Sequence, residues 1–229
     1  PSSTAYANIN AYNQIFVDTV RQTGGNNAKR WLMIPGWNTN ITYTVGNYEF
    51  SLPTDNYRDS SISTPRIMIS VHYYDPWDFC GEESSNVTQW GDTATNSSKI
   101  SSWGDESALK SQFSSLYNKF VAAGYPVVIG EYGSIDKSAY DSTSAAQRAE
   151  FAKKVCTYAK KYGMVPVLWD NGYTGTYGFG VIDRSTCKVT QQKIIDAIAS
   201  VYPKSSSSNS SNSSNSSASS LEGTYYIKS

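Results

Sequence analysis

Histidine and cysteine are scarce in this chain. His72 is the only histidine in 229 residues, which excludes a metal centre built from several imidazoles. The three cysteines, Cys80, Cys156 and Cys187, are an odd count with no metal-ligand spacing, so one pair with a thiol left over is the most they allow. Cys156 falls on the apolar face of a predicted helix and reads as a small buried hydrophobe. No metal and no cofactor is expected. Excess charge is also missing: nineteen basic and nineteen acidic residues cancel, leaving no electrostatic footprint for nucleic acid or an anionic membrane. No apolar run approaches the roughly 20 residues needed to span a bilayer as a helix. The chain opens at Pro1 with neither an initiating methionine nor a signal peptide, the expectation for a processed form or a piece of a longer chain.

What is present is aromatic. Phe, Trp and Tyr make up 14% of the residues, with six Trp and eighteen Tyr, a supply of flat apolar faces that fill a core and are also of the kind that stack on sugar rings. Six Asn-x-Ser/Thr sites, at Asn40, Asn86, Asn96, Asn209, Asn212 and Asn215, fit a secreted, extracellular chain.

Helical spacing of Tyr12, Ile15, Phe16, Thr19 and Val20 predicts a helix from about Asn8 to Thr23, stopped by Gly24-Gly25. A strand from Arg30 to Ile34 follows, ended by Pro35-Gly36, and a second from Arg66 to Val71 runs into His72-Tyr73-Tyr74. Asp105 caps a helix with the stripe Leu109, Phe113, Leu116, Tyr117 and Phe120, ended by Gly124. The β-branched run Val127-Val128-Ile129 then predicts an enclosed strand that delivers Glu131 to its far end. Ser144 and Gln147 have capping-box spacing before a helix burying Phe151, Ala152, Val155, Cys156 and Ala159. Val165 to Trp169 is the fourth strand, and a helix from Thr190 uses Ile194, Ile195, Ile198 and Val201.

Strands alternating with helices predict an α/β fold with a parallel sheet, whose functional rim is the carboxyl end of the strands. Four strand ends then carry a coherent set: Trp37, His72 with Tyr74, Glu131, and Trp169 with Asn171. No cysteine sits at a strand end, which excludes a Cys–His nucleophile there. Residues 1–204 form the globular unit; 205–220, almost all Ser and Asn, read as a disordered linker, and 221–229 as the start of a further module or a truncated tail.

Three segments, Val71-His72-Tyr73-Tyr74-Asp75-Pro76-Trp77-Asp78-Phe79, Ile129-Gly130-Glu131-Tyr132-Gly133 and Leu168-Trp169-Asp170-Asn171-Gly172, resemble family 5 of the glycoside hydrolases, the (β/α)8-barrel cellulases, in order and each at a strand end. The resemblance runs from about Asn8 to Tyr202 and covers the carboxyl-terminal half of such a barrel, about its last four β/α units. It implies an endo-β-1,4-glucanase acting on cellulose or a related β-glucan, with Glu131 as nucleophile of a retaining mechanism. Tyr74 would steady its charge, His72 sit beside the cleavage point, and Trp169 be the platform under the sugar, with Asn171 and Trp37 completing the substrate contacts. It also implies a docking or carbohydrate-binding module beyond the linker.

The departure is the proton donor, which the family carries on an Asn-Glu-Pro motif that this chain lacks. Retention needs that second carboxyl group about 5 to 5.5 Å from the first. The expectation is therefore a half-barrel, poorly active by itself and needing its missing amino-terminal half. A β-mannanase or xyloglucanase of the same family, a non-catalytic polysaccharide-binding module and an unrelated open α/β binding protein are the alternatives. A binding module has no use for a strand-end carboxylate with a tyrosine beside it.

Overall fold

The computed structural model describes residues 1–46 and 49–203. The predicted linker, the segment after it and the acceptor sites at Asn209, Asn212 and Asn215 lie outside the described residues. Along the chain run α1 (Ser3–Gln22), β1 (Leu32–Asn40), α2 (Ile41–Val45), β2 (Ile67–Tyr73), α3 (Trp77–Cys80) and α4 (Glu106–Lys119). Then come β3 (Val127–Tyr132), α5 (Ser144–Lys161), β4 (Val165–Leu168), the two-residue strands β5 (Ile182–Asp183) and β6 (Lys188–Val189), and α6 (Gln192–Val201). Strands β1 to β4 form one sheet in sequence order, every neighbouring pair parallel, and β5 and β6 pair antiparallel.

Period-2 alternation gives the sheet two unlike faces. Leu32, Ile34, Ile67, Ile69, Val71, Tyr73, Val127, Ile129 and Tyr132 are buried in one core with Leu109, Phe113, Leu116, Phe151, Ala152 and Val155 of α4 and α5. The Tyr73 ring meets Phe113 edge-on at 5.3 Å and stacks on Phe151 at 6.0 Å. Each such side chain contributes about 1.5–3 kcal/mol by leaving water. The other face is open: Met33, Val165 and Val167 are exposed there.

Several local expectations differ from the structure. The buried face of α1 is Tyr6, Asn13, Val17 and Arg21, while Tyr12, Ile15 and Phe16 of the predicted stripe are exposed. Hydrogen bonding explains the difference, because two polar side chains turn inward to backbone acceptors. Asn13 donates to the Pro35 carbonyl at 3.3 Å, and Arg21 spends all its donors on the carbonyls of Asn27, Arg30 and Arg66 and on both oxygens of Asp55. Strand β1 continues through Pro35-Gly36 to Asn40, since an edge strand tolerates proline. The Ser144–Gln147 capping box does not form: Ser144 accepts from the Lys137 backbone N–H, and Gln147 accepts from the Trp90 backbone N–H. Tyr117 is exposed at the margin of the α4 stripe. Asp105 caps α4 as expected, accepting from the Ala108 N–H at 2.8 Å. All three cysteines are free, Cys80 and Cys156 buried and Cys187 exposed.

Arg21 and Asp55 are both fully enclosed and paired at 2.7 Å. Burial alone would raise the Asp55 carboxyl, but the hydrogen bonds from Arg21 and the Arg66 N–H, with the nearby guanidinium charges, hold it below the usual range. Its stabilisation is therefore complete above about pH 4 and lost as the pH falls further. Arg21→Met leaves Asp55 buried without its cation, so urea unfolding at pH 7 is expected to show a loss of about 3–5 kcal/mol. The variant is also expected to lose the fall in stability with acid that Asp55 gives the parent.

Candidate active site

The carboxyl rim of the sheet assembles around one irregularity. Val71 pairs with Ile129, but the next residue of β2, His72, pairs with Glu131, so β3 carries one extra residue, Gly130. Without that bulge Glu131 would follow Val127 and Ile129 into the helix-facing core. With it, Glu131 turns onto the open face beside His72, and Tyr132 takes the core position opposite Tyr73. A Cβ at position 130 would run into the Ser70 hydroxyl, so any larger residue at the bulge forces Ser70 aside.

On the open face His72 and Tyr74 are two apart on one strand and both reach Glu131. The Tyr74 hydroxyl donates to Oε2 of Glu131 at 2.9 Å. His72 Nδ1 lies 3.3 Å from the same oxygen. Burial pulls the His72 pKa below its ordinary value, against the opposing charge of Glu131, so the imidazole is neutral at pH 7 and the contact is not an ion pair. Burial, the donated hydrogen bond and the Glu131 charge all push the Tyr74 phenol up, which keeps it a proton donor. Both contacts fall on Oε2 and leave Oε1 free of them.

Trp169 follows β4 on the same rim. It is 41% exposed, and its backbone N–H donates to the Tyr132 carbonyl at 2.9 Å. Phe179 closes the gap, its ring edge-on to Tyr74 at 5.9 Å and close to Gly133. Asn171 is near by in sequence but mainly organises its own loop, its side-chain oxygen accepting from the backbone N–H groups of Tyr173 and Phe179. Trp37 is half-buried against Tyr6 at 5.5 Å and Tyr43 at 5.4 Å, an aromatic cluster packed on the core. Phe179 was missed because it lies outside any strand-end motif.

A parallel strand–helix succession with its polar groups on the carboxyl rim is the arrangement of an α/β enzyme, shared by (β/α)8 barrels and open sheets. The family model for cellulase (glycosyl hydrolase family 5) matches residues 1–175. This chain belongs to glycosyl hydrolase family 5. Endoglucanase A of Paenibacillus barcinonensis is 64% identical over 200 residues, which are 86% of this chain and 50% of that protein. Among solved structures, a family 5 xyloglucanase from Paenibacillus pabuli is also 64% identical with a TM-score of 0.85, covering 88% of this chain and 56% of that one. A GH5-4 broad specificity endoglucanase from Bacteroides salanitronis is 38% identical with a TM-score of 0.76, over 87% and 51%. The chain thus spans about half the length of these relatives.

Two outcomes check this geometry. Because His72 is the only histidine, its imidazole can be titrated by NMR without assignment; a pKa below about 6.5 is expected, and a lower one still in Glu131→Gln, where the charge favouring the imidazolium is gone. Gly130→Ala is expected to lower stability by about 1–3 kcal/mol in thermal unfolding, with part of the loss recovered by adding Ser70→Ala.

Proposed function

We propose that this chain contributes the nucleophile side of a retaining endo-β-1,4-glucanase. The observation that carries the reading is the Tyr74 hydrogen bond to Glu131 on the open face. It stabilises a negative carboxylate through one oxygen and leaves the other for attack. In this reading Oε1 of Glu131 bonds to the anomeric carbon as the bond to the leaving glycosidic oxygen breaks, and a general acid protonates that oxygen. Water then cleaves the glycosyl ester with the same acid acting as base, and net configuration is retained. Neutral His72 packs beside Oε2, and Trp169 lies under the sugar being cleaved.

The general acid is supplied from outside this sequence, which has no Asn-Glu-Pro. Among the described residues, three other glutamates are engaged elsewhere: Glu106 with Lys154 and Tyr158, Glu150 with Lys154, and Glu82 with Ser84. The two relatives at 64% identity are named for different substrates, an endoglucanase and a xyloglucanase. The reading therefore stops at a β-1,4-glucan backbone, with or without branches. The same tyrosine–carboxylate pair argues against a purely binding role.

The test is covalent trapping. A 2-deoxy-2-fluoro-cellobioside with a good leaving group, incubated with the full-length protein, is expected to leave one fluoroglycosyl unit on the peptide carrying Glu131. Label on another residue, or inversion at the anomeric carbon by NMR, would remove the assignment. Residues 1–229 alone are expected to hydrolyse soluble cellulose about 10²- to 10⁴-fold more slowly than the full-length protein, the range for loss of a general acid.

A further inference from the structure

Of the six tryptophans, Trp90 is enclosed in the core with its indole N–H on the Gly104 carbonyl. Trp77 is different. It is 49% exposed, although it opens α3 only three residues beyond Tyr74, and it is held on several sides. One face of its ring lies so close on Gly81 that a Cβ there would run into the six-membered ring. It meets the Tyr74 ring in a T-shaped contact, centroids 6.2 Å apart and planes at 85°. The Glu82 carboxylate lies close to its indole N–H.

The turn beneath it is anchored as firmly. The buried ammonium of Lys137, from the chain after β3, donates to the carbonyls of Asp78, Ser85 and Val87 at 2.9, 3.2 and 2.9 Å. Ser101 donates to the Asp78 carboxylate at 2.8 Å. An indole so restrained has little rotamer freedom to lose on binding, yet it keeps much of its apolar surface in water.

We infer that Trp77 is a sugar-stacking platform, on the far side of Glu131 from Trp169. The inference rests on the reading of this rim as a β-1,4-glucan cleft. In the sheet order Trp169 follows β4, Glu131 ends β3, and Trp77 follows β2, so a chain laid from one exposed indole to the other crosses the carboxylate. The occupant is a pyranose ring beyond the unit being cleaved. The ring hydroxyls of a β-1,4-glucan are equatorial, which leaves axial C–H groups on each face to pack on the indole. Gly81 supports the ring from one side, and the exposed half of its surface is what a sugar would cover. The ring contact with Tyr74 ties the position of that sugar to the residue that orients Glu131.

The test compares the full-length protein with its Trp77→Ala, Trp77→Phe and Trp77→Leu variants on cellohexaose, and repeats sugar binding by calorimetry in a Glu131→Gln background. Trp77→Ala is expected to raise KM, and to weaken binding, about tenfold, and to shift the cleavage pattern, with kcat within about twofold. Trp77→Phe, which keeps an aromatic face, is expected to recover most of the loss, and Trp77→Leu little of it. Unchanged KM, binding and product pattern in Trp77→Ala overturns the platform, as does a fall in kcat alone, which is what disturbance passed through Tyr74 would give. If Trp77→Ala fails to fold, the Phe and Leu variants make the same comparison, and equal affinity in those two overturns it. Hydrolysis persisting in Glu131→Gln would remove the nucleophile alone; the binding comparison needs no turnover and decides the platform separately.

Discussion

The site depends on one extra residue in one strand. A parallel strand presents alternate side chains to opposite faces, so Glu131 shares by parity the face of Val127 and Ile129, which is solid core. A carboxylate there would be desolvated without a partner, at a cost of several kcal/mol. The bulge at Gly130 reverses the parity for a single step. It places Glu131 opposite His72 and returns Tyr132 to the core, where its hydroxyl lies 3.2 Å from the Cys156 sulfur. At the bulge the Ser70 hydroxyl fills the space that a side chain at 130 would take.

Buried cations with carbonyl partners hold loops at both ends of the sheet, Arg21 at the amino ends of the strands and Lys137 and Arg148 at the carboxyl rim. Arg21 joins the end of α1, the turn before β1 and the approach to β2. Lys137 gathers the segment from Asp78 to Val87, and Arg148 donates to the Ser134 carbonyl at 2.9 Å and faces Asp136 at 3.5 Å. Loop backbone drawn over a core carries carbonyls that water no longer reaches, and a multivalent donor satisfies several at once. Such anchors give aromatic side chains in irregular segments, Trp77 and Phe179 among them, a defined position.

Hydrophobic spacing located elements well where the buried face is uniformly apolar. The buried set Phe151, Ala152, Val155, Cys156 and Ala159 of α5 was legible because each of those residues is apolar and the period is unbroken. For α1 the same reasoning chose the wrong side, since Asn13 and Arg21 are inside and Ile15 and Phe16 are outside. Periodicity weighs a buried arginine as a surface residue, because its partners, Asp55 and three carbonyls, come from distant positions. The Ser144–Gln147 pair has the right spacing for a capping box, and tertiary partners took both side chains instead.

The amino-acid sequence by itself determined the alternation of four strands with helices, the polar residues at the strand ends and the absence of an Asn-Glu-Pro partner for Glu131. Each of these is a matter of local spacing or of residues simply being present or missing. Only the tertiary structure decided which face Glu131 shows, that His72 and Tyr74 meet the same carboxylate oxygen, that Trp37 turns to Tyr6 and Tyr43, and that Trp77 stands half in solvent on Gly81. Those outcomes depend on register between strands and on contacts between residues far apart in the chain. A one-residue shift in pairing reverses a side chain's face while leaving the spacing pattern almost unchanged.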